Sequence, residues 1–158
     1  FCLSRGLGDV YKRQAQIALS YVRSHTDELH IEKGAADKSF HIHVPEGAVP
    51  KDGPSAGVTM TTAIVSLLTG RAVRSTVGMT GEVTLQGLVL PIGGVKQKVL
   101  AAHRMGLKEV ILPKRNEKDL DDVPQTVRDS MTFHLAGRVE DVLEHALEPA
   151  AKSRFQAA

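Results

Sequence analysis

Hydrophobic positions along the chain follow two periods, and segments of each kind alternate with the other. Apolar residues that recur every three or four positions predict amphipathic helices, whereas short runs rich in Val, Ile and Leu predict strands. The predicted helices are 14–25, 55–68, 95–105 and 139–147, with a short helix at 124–129 and a capped turn or short helix at 116–120. The predicted strands are 40–44, 77–83, 88–90, 109–112 and 131–135. Gly70 and Gly106 are the expected helix ends.

This order of elements predicts an α/β (α+β) domain in which helices and a small mixed sheet form two layers. A chain of 158 residues with 42% hydrophobic content can build one domain with a core. The sequence contains no run of 18 apolar residues, so no membrane span is predicted. A net charge of +2 without a basic and aromatic cluster does not indicate DNA or RNA binding. The single cysteine, Cys2, excludes an internal disulfide and agrees with a reducing compartment.

Residues 50–57 (PKDGPSAG) place a serine where the chain is expected to turn into a helix. Proline is favoured near the first position of a helix, where Pro54 would lie, and Ser55 would then present its hydroxyl at the helix start. The first backbone N–H groups of a helix lack partners, so they can stabilise the oxyanion that forms when a serine attacks a carbonyl. The candidate donors are Ser55, Ala56 and Gly53. The alternative interpretation is an ordinary N-cap, for which serine is a favoured residue.

A serine nucleophile needs a base, and the sequence offers two kinds. Seven histidines keep a Ser-His-Asp triad open. The second candidate is Lys98, the one cation on a predicted helical stripe with Val95, Val99 and Ala102. Burial among apolar groups lowers the pKa of a lysine and makes the neutral amine available as a base. The alternative is that the stem of Lys98 packs while its ammonium reaches water.

Six motifs in the same order and spacing give the chain a resemblance to a known family. They are 44–47 (VPEG), 50–57 (PKDGPSAG), 79–83 (MTGEV), 90–98 (LPIGGVKQK), 101–104 (AAHR) and 110–113 (VILP). Over residues 15–148 the chain resembles the C-terminal proteolytic domain of the Lon family of ATP-dependent serine proteases. The sequence around Ser55 resembles that of the A type within this family. The resemblance implies the Lon proteolytic fold, which is related to the second domain of a small-subunit ribosomal protein.

The resemblance also implies roles for individual residues. It makes Ser55 the nucleophile and Lys98 the general base of a Ser-Lys dyad, with the hydroxyl of Thr80 orienting the amine. It implies a cytoplasmic homohexamer that degrades unfolded or misfolded proteins in protein quality control. ATP and Mg²⁺ would bind an ATPase module N-terminal to the protease domain, since no Gly-x-x-x-x-Gly-Lys-Ser/Thr loop occurs in this chain. No cofactor or metal is expected in the chain itself.

Four further residues are candidates for positions next to the site. His41 and His43 are two positions apart on a predicted strand, so their side chains point to the same face. Two histidines without a third ligand do not predict a metal site. Asp52 is interpreted either as a partner that blocks the site at rest or as a turn residue beside Gly53. Glu82 fits a structural contact as well as a contact at the site.

Two other functional hypotheses remain at this stage. One is a catalytically inactive Lon-like domain used for assembly or DNA repair, although such a domain would not be expected to keep Ser55, Lys98 and Thr80 together. The other is an RNA- or ribosome-binding domain that shares only the fold, for which the chain lacks a basic stripe.

The two ends of the chain are expected to differ from its centre. Residues 1–14 carry no clear hydrophobic period, and 9–14 (DVYKRQ) matches the translation of a sequencing adapter. The favoured interpretation is therefore an adapter scar. The rival interpretation is a remnant of the native N-terminal segment, which Leu7, Gly8, Val10 and Lys12 fit, whereas Tyr11, Arg13 and Gln14 do not. Residues 149–158 are predicted to form a disordered tail.

Overall fold

Five α-helices lie within residues 2–3, 6–46 and 48–150, the part of the chain that the computed structural model describes. They are α1 (Asp9–Ser24), α2 (Gly57–Thr69), α3 (Val95–Arg104), α4 (Gln125–Arg128) and α5 (Val139–Ala146). Two 3-10 segments span Ala35–Asp37 and Lys114–Asp122. Every predicted helix is present, and the second 3-10 segment covers the turn predicted at 116–120. None of the described helices is long and apolar enough to cross a lipid bilayer.

The ends of the helices show which boundaries local sequence can predict. Gly70 caps α2 with φ 68°, and Gly106 follows α3 with φ 80°, so both predicted helix ends are confirmed. Glycine adopts this left-handed conformation without the steric cost that other residues meet. By contrast, α1 begins at Asp9, before the predicted residue 14. An N–H of its first turn is bonded to Asp52, a distant partner that local sequence does not reveal.

The described strands form three small sheets. They are β1 (Cys2–Leu3), β2 (His41–Ile42), β3 (Val77–Met79), β4 (Glu82–Val83), β5 (Val89–Leu90), β6 (Glu109–Pro113) and β7 (Thr132–Ala136). A parallel sheet has the order β3-β6-β7, β1 and β2 form a parallel pair, and β4 and β5 form an antiparallel hairpin. The α/β class is confirmed, but the expected single mixed sheet is wrong because the antiparallel pairing lies in a separate hairpin.

The predicted strand at 77–83 is in fact two strands in different sheets. The break falls at Gly81, whose N–H donates to the carbonyl oxygen of Ser55 at 2.8 Å. The carbonyl oxygen of Gly81 in turn accepts from the N–H of Val58 at 3.1 Å. The backbone groups of Gly81 therefore bind Ser55 and the first turn of α2 and cannot continue the parallel sheet.

Helices cover both faces of the parallel sheet, which corrects the expected two layers to three. Ile111 of β6 packs into a cluster with buried residues of α1, α2 and α5. Val110 and Leu112, its neighbours on β6, point to the other face and pack with Val95 and Val99 of α3. The run of four buried positions at 110–113 is typical of a parallel strand that is covered on both sides. The expected relation to the ribosomal-protein domain stays a prediction.

Near the carboxyl edge of this sheet, at the end of β3, the first turns of α2 and α3 line one cavity through Thr59 and Lys98. Thr80 follows β3 directly, and its N–H donates to the carbonyl oxygen of Ile111 at 3.1 Å. In open α/β sheets, this edge is the usual place for a ligand site. Of the predicted C-terminal tail, 151–158 fall outside the described residues.

Candidate active site

Ser55 lies in a tight turn immediately before α2. The helix begins at Gly57 after the N-cap Ala56, so Ser55 precedes the helix instead of opening it as predicted. The Ser55 carbonyl oxygen accepts from the Gly81 N–H at 2.8 Å and from the Thr80 hydroxyl at 3.3 Å. These bonds fix the backbone of a half-buried serine to the loop between β3 and β4.

Backbone N–H groups around Ser55 divide into occupied and available donors. Those of Gly57 and Val58 donate to the carbonyl oxygens of Pro54 and Gly81. The N–H of Gly53 donates to Asp52 Oδ1 at 2.8 Å, so this candidate oxyanion donor already has an acceptor. Among the described residues, the N–H groups of Ser55 and Ala56 make no backbone hydrogen bond. Of the three predicted donors, these two can receive an oxyanion without breaking a bond.

Lys98 projects from the apolar face of α3, as the stripe predicted. Its neighbours on that face, Val95 and Val99, are buried, while Lys98 itself is half-buried. The ammonium donates to the carbonyl oxygen of Gly93 at 2.8 Å, which brings the side chain back over the start of its own helix. Lys96 and His103, on the other side of α3, are exposed.

Ser55, Thr80 and Lys98 line one cavity of about 350 Å³, although they come from three different segments. The remaining lining is mostly small or apolar, as at Ala102 and Leu107, and among the described residues it includes no acidic side chain and no histidine. Such walls give a carbonyl substrate a site with little competing charge.

Contacts inside the cavity differ from those of a formed dyad. No hydrogen bond joins Ser55 Oγ to Lys98 Nζ among the described residues, and the amine donates to the Gly93 carbonyl. The Thr80 hydroxyl donates to the backbone of Ser55 and not to Lys98. The structure therefore brings the three predicted residues to one cavity without showing a direct proton path between them.

Asp52 and Glu82, two of the site-adjacent candidates, do not line this cavity. Asp52 is exposed and accepts from the N–H groups of Gly53 at 2.8 Å and Tyr11 at 3.1 Å. The bond from Gly53, followed by the bond from Tyr11, holds the pKa of Asp52 below its ordinary value. The bond to Gly53 is the turn contact expected for an aspartate there. Glu82 lies on β4 opposite Leu90.

His41 and His43 line a different groove, of about 220 Å³, with Ile42 and Leu67. Leu67 is 71% exposed at this groove. Within the described part of the chain, Lys98 lines the cavity of Ser55 and no histidine does. Among the described residues, no three His, Cys, Asp or Glu side chains form a group that could hold a metal ion.

Two contacts at the site were missed by the sequence analysis. One is the Gly93 carbonyl, which binds Lys98. The other is Gly81, whose N–H donates to the Ser55 carbonyl and whose carbonyl accepts from the N–H of Val58 in α2. Both glycines lie inside motifs that were noticed, 90–98 and 79–83. Backbone acceptors leave no side-chain signal, however, so their roles could not be inferred from residue type.

Comparison with known proteins places the chain in a family. The family model that matches residues 1–149 is that of the Lon protease (S16) C-terminal proteolytic domain. The chain is 63% identical over 146 residues to Lon protease 1 of Bacillus subtilis (strain 168), a match that covers 92% of this chain and 19% of that protein. It is 59% identical over 156 residues to Lon protease of Mycolicibacterium smegmatis, covering 99% of this chain and 20% of that protein.

A third relative shows higher identity over a shorter stretch. Lon protease of Frankia alni is 67% identical over 133 residues, 84% of this chain and 15% of that protein. The chain thus spans about a fifth or less of the length of the relatives it matches. Together with a cavity that collects Ser55, Lys98 and Thr80, these matches show that the chain belongs to the family of Lon protease C-terminal proteolytic domains.

Proposed function

We propose that this chain is the serine endopeptidase domain of an ATP-dependent Lon protease and acts through a Ser55–Lys98 dyad. One observation carries the proposal. Ser55 and Lys98 lie 43 residues apart in the sequence, yet both line one cavity at the carboxyl edge of the parallel sheet. The Lon family to which the chain belongs supports a peptide bond as the substrate.

In the proposed first step, Ser55 Oγ attacks the carbonyl carbon of a peptide bond. Neutral Lys98 Nζ takes the hydroxyl proton as the new C–O bond forms. The carbonyl oxygen becomes an oxyanion and accepts from the N–H groups of Ser55 and Ala56. Loss of one such donor typically costs about 10²–10³ in rate.

The second half of the reaction restores the enzyme. The tetrahedral intermediate collapses, the C–N bond breaks, and the Lys98 ammonium gives its proton to the leaving amine. Water then attacks the Ser55 ester, and Lys98 takes a proton from that water. As the C–O bond to Ser55 breaks, Lys98 returns the proton to Ser55 Oγ, and a carboxylic acid product leaves.

Lys98 must change partner to perform these steps. Its ammonium now donates to the Gly93 carbonyl at 2.8 Å. Rotation within the flexible side chain of lysine can exchange this carbonyl for Ser55 Oγ without moving α3. Thr80 supports both partners in the proposal, since its hydroxyl binds the Ser55 backbone and lies in the cavity that the amine would enter.

For the whole protein we propose the properties that the family resemblance implied. An ATPase module outside this chain would bind ATP and Mg²⁺ and deliver unfolded or misfolded proteins. The complete enzyme would be a cytoplasmic homohexamer in protein quality control. Without that assembly, we expect the isolated domain to act weakly and on short peptides.

Cleavage of a fluorogenic peptide by residues 1–158 tests the proposal. The domain is fused to a hexamerising partner, and wild type is compared with Ser55→Ala and with Ser20→Ala, an exposed serine of α1 that serves as the matched control. We expect cleavage by wild type and Ser20→Ala and none by Ser55→Ala. Absence of cleavage by the assembled wild type would contradict the proposal and favour an inactive Lon-like domain.

A further inference from the structure

The turn that carries Ser55 is tied to the protein on both sides. On the C-terminal side, Gly81 and Thr80 bind the Ser55 carbonyl. On the N-terminal side, the contacts run to the start of α1. Lys51 exchanges backbone hydrogen bonds with this segment, since its N–H donates to Gly6 at 3.0 Å and its carbonyl accepts from Gly8 at 2.7 Å.

Asp52 adds a side-chain contact to this attachment. Its Oδ1 accepts from the N–H of Tyr11, in the first turn of α1, where no partner within the helix exists. A carboxylate at this position also interacts favourably with the positive end of the helix dipole. Asp52 therefore caps α1 from a distance of 41 residues along the chain.

Gly8 is the residue that lets the carboxylate come so close. A Cβ at Gly8 would lie 2.1 Å from Asp52 Cγ and 2.4–2.5 Å from both carboxylate oxygens, closer than real contacts allow. The backbone of Gly8 is extended, with φ −72° and ψ 169°, which any residue adopts. An alanine at this position would thus displace the carboxylate without straining its own backbone.

The path from Asp52 to the nucleophile is short. The same Oδ1 accepts from the N–H of Gly53, and Pro54, with its restricted φ, separates Gly53 from Ser55. The carboxylate is thereby joined to two neighbours, α1 and the chain leading to Ser55. Displacement of the carboxylate would loosen the turn on one side, where the backbone bonds of Lys51 remain, while its other side stays bound to Gly81.

We propose that Gly8 and Asp52 are positioning residues, which together fix the Ser55 turn against the N-terminus of α1. The proposal takes residues 8–14 as native chain, the second of the two interpretations of this segment, and the family match over residues 1–149 supports that interpretation. The proposal rests on the proposed function, because its kinetic consequence is a misplaced nucleophile. Small displacements of a reacting group are enough to lower kcat strongly, whereas contacts that bind the rest of the peptide are unchanged.

The kinetic test uses the assembled chain and four variants. We expect Gly8→Ala and Asp52→Ala each to lower kcat by about 10- to 100-fold with KM changed by less than about twofold. The double variant should fall no further than the lower single one, because both changes break one contact. Asp52→Asn keeps an acceptor oxygen and should recover most of the rate.

The matched control is Gly137→Ala. Gly137 also precedes a helix beside a carboxylate, that of Asp141, but a Cβ there would lie an ordinary 3.7 Å from it. We expect this variant to keep wild-type kcat. Thermal unfolding of every variant separates a misplaced nucleophile from general loss of the fold.

Amide hydrogen exchange tests the contact without any chemistry. We expect faster exchange at Tyr11 and Gly53 in Gly8→Ala and Asp52→Ala, with unchanged exchange in the core strand β6. Unchanged exchange at these two amides, additive kinetic losses, or a fall in kcat only where the fold melts would overturn the proposal. If wild type cleaves nothing, the proposed function fails, and the exchange result alone decides whether the contact exists.

Discussion

The two edges of the parallel sheet differ in how their charged side chains are paired. At the amino edge, Glu109 at the start of β6 binds both Arg74 and His134. At the carboxyl edge, Lys98 has a single backbone carbonyl as its partner and, among the described residues, no carboxylate. The carboxylate of Glu109 is thus held by two partners at once, whereas the Lys98 ammonium, bound by one carbonyl on a flexible side chain, can change partner.

The amino edge is a compact network. The Arg74 guanidinium donates to both carboxylate oxygens of Glu109, and His134 Nε2 lies 2.7 Å from Oε2. The His134 ring stacks on His145 with 4.0 Å between centroids. The hydrogen bond from His134, followed by that from Arg74, holds the pKa of Glu109 below its ordinary value and outweighs the opposing effect of burial. This edge is specialised for stability.

Removal of the cation at the carboxyl edge should have the largest effect. We expect Lys98→Ala to lower kcat for peptide cleavage by about 10⁴-fold or more, because the base of an activated serine is lost. Lys96→Ala, on the exposed side of the same helix, should stay within about twofold of wild type. Near-full activity of Lys98→Ala at neutral pH would mean that another group is the base.

The bond between Thr80 and the serine turn should matter less. Thr80→Val keeps the shape of the side chain but removes the donor to the Ser55 carbonyl, and one hydrogen bond contributes about 0.5–1.5 kcal/mol. We expect kcat to fall by about tenfold, and the control Thr132→Val, on an exposed position of β7, to have no effect on kcat. A fall well beyond this would indicate that Thr80 also orients the amine.

Glu109→Gln tests the paired edge and should leave catalysis intact. We expect the free energy of unfolding to fall by about 1–2 kcal/mol near neutral pH, since the charge-assisted bonds to Arg74 and His134 are weakened. The activity per folded molecule should not change. A large loss of kcat without a loss of stability would show that the two edges are coupled.

The same variant has a defined pH dependence. Because the folded-state pKa of Glu109 is lowered, its contribution to stability is fully present above its ordinary pKa of 4.5. That contribution is lost as pH falls through the lower, folded-state pKa. The difference in unfolding free energy between wild type and Glu109→Gln should therefore shrink below this pH, as chemical denaturation at several pH values will show.

Most elements of the fold could be predicted from hydrophobic period and from glycine at the helix ends. Two of the failures share one cause, which is contact between residues distant in sequence. Strand 77–83 is divided because Gly81 binds the serine turn, and α1 starts early because Asp52 caps it. The expectation of two layers failed because a short strand buried on both faces resembles any apolar run.

At the site, side-chain chemistry could be predicted and geometry could not. Ser55, Lys98 and Thr80 were identified from their motifs, and all three line the cavity. The bonds that hold them run to backbone atoms of Gly93 and Gly81, which no side-chain pattern reports. Glu82, which belongs to motif 79–83, and the candidates His41 and His43 lie outside the cavity.

The most direct test of the dyad compares Ser55→Ala, Lys98→Ala and the double variant in the assembled domain. One fluorogenic peptide is used, and each rate is corrected for the folded fraction. If the two residues act as one unit, all three variants fall to about the same residual rate. Independent losses, in which the double variant falls by the product of the two single effects, would contradict the Ser-Lys dyad.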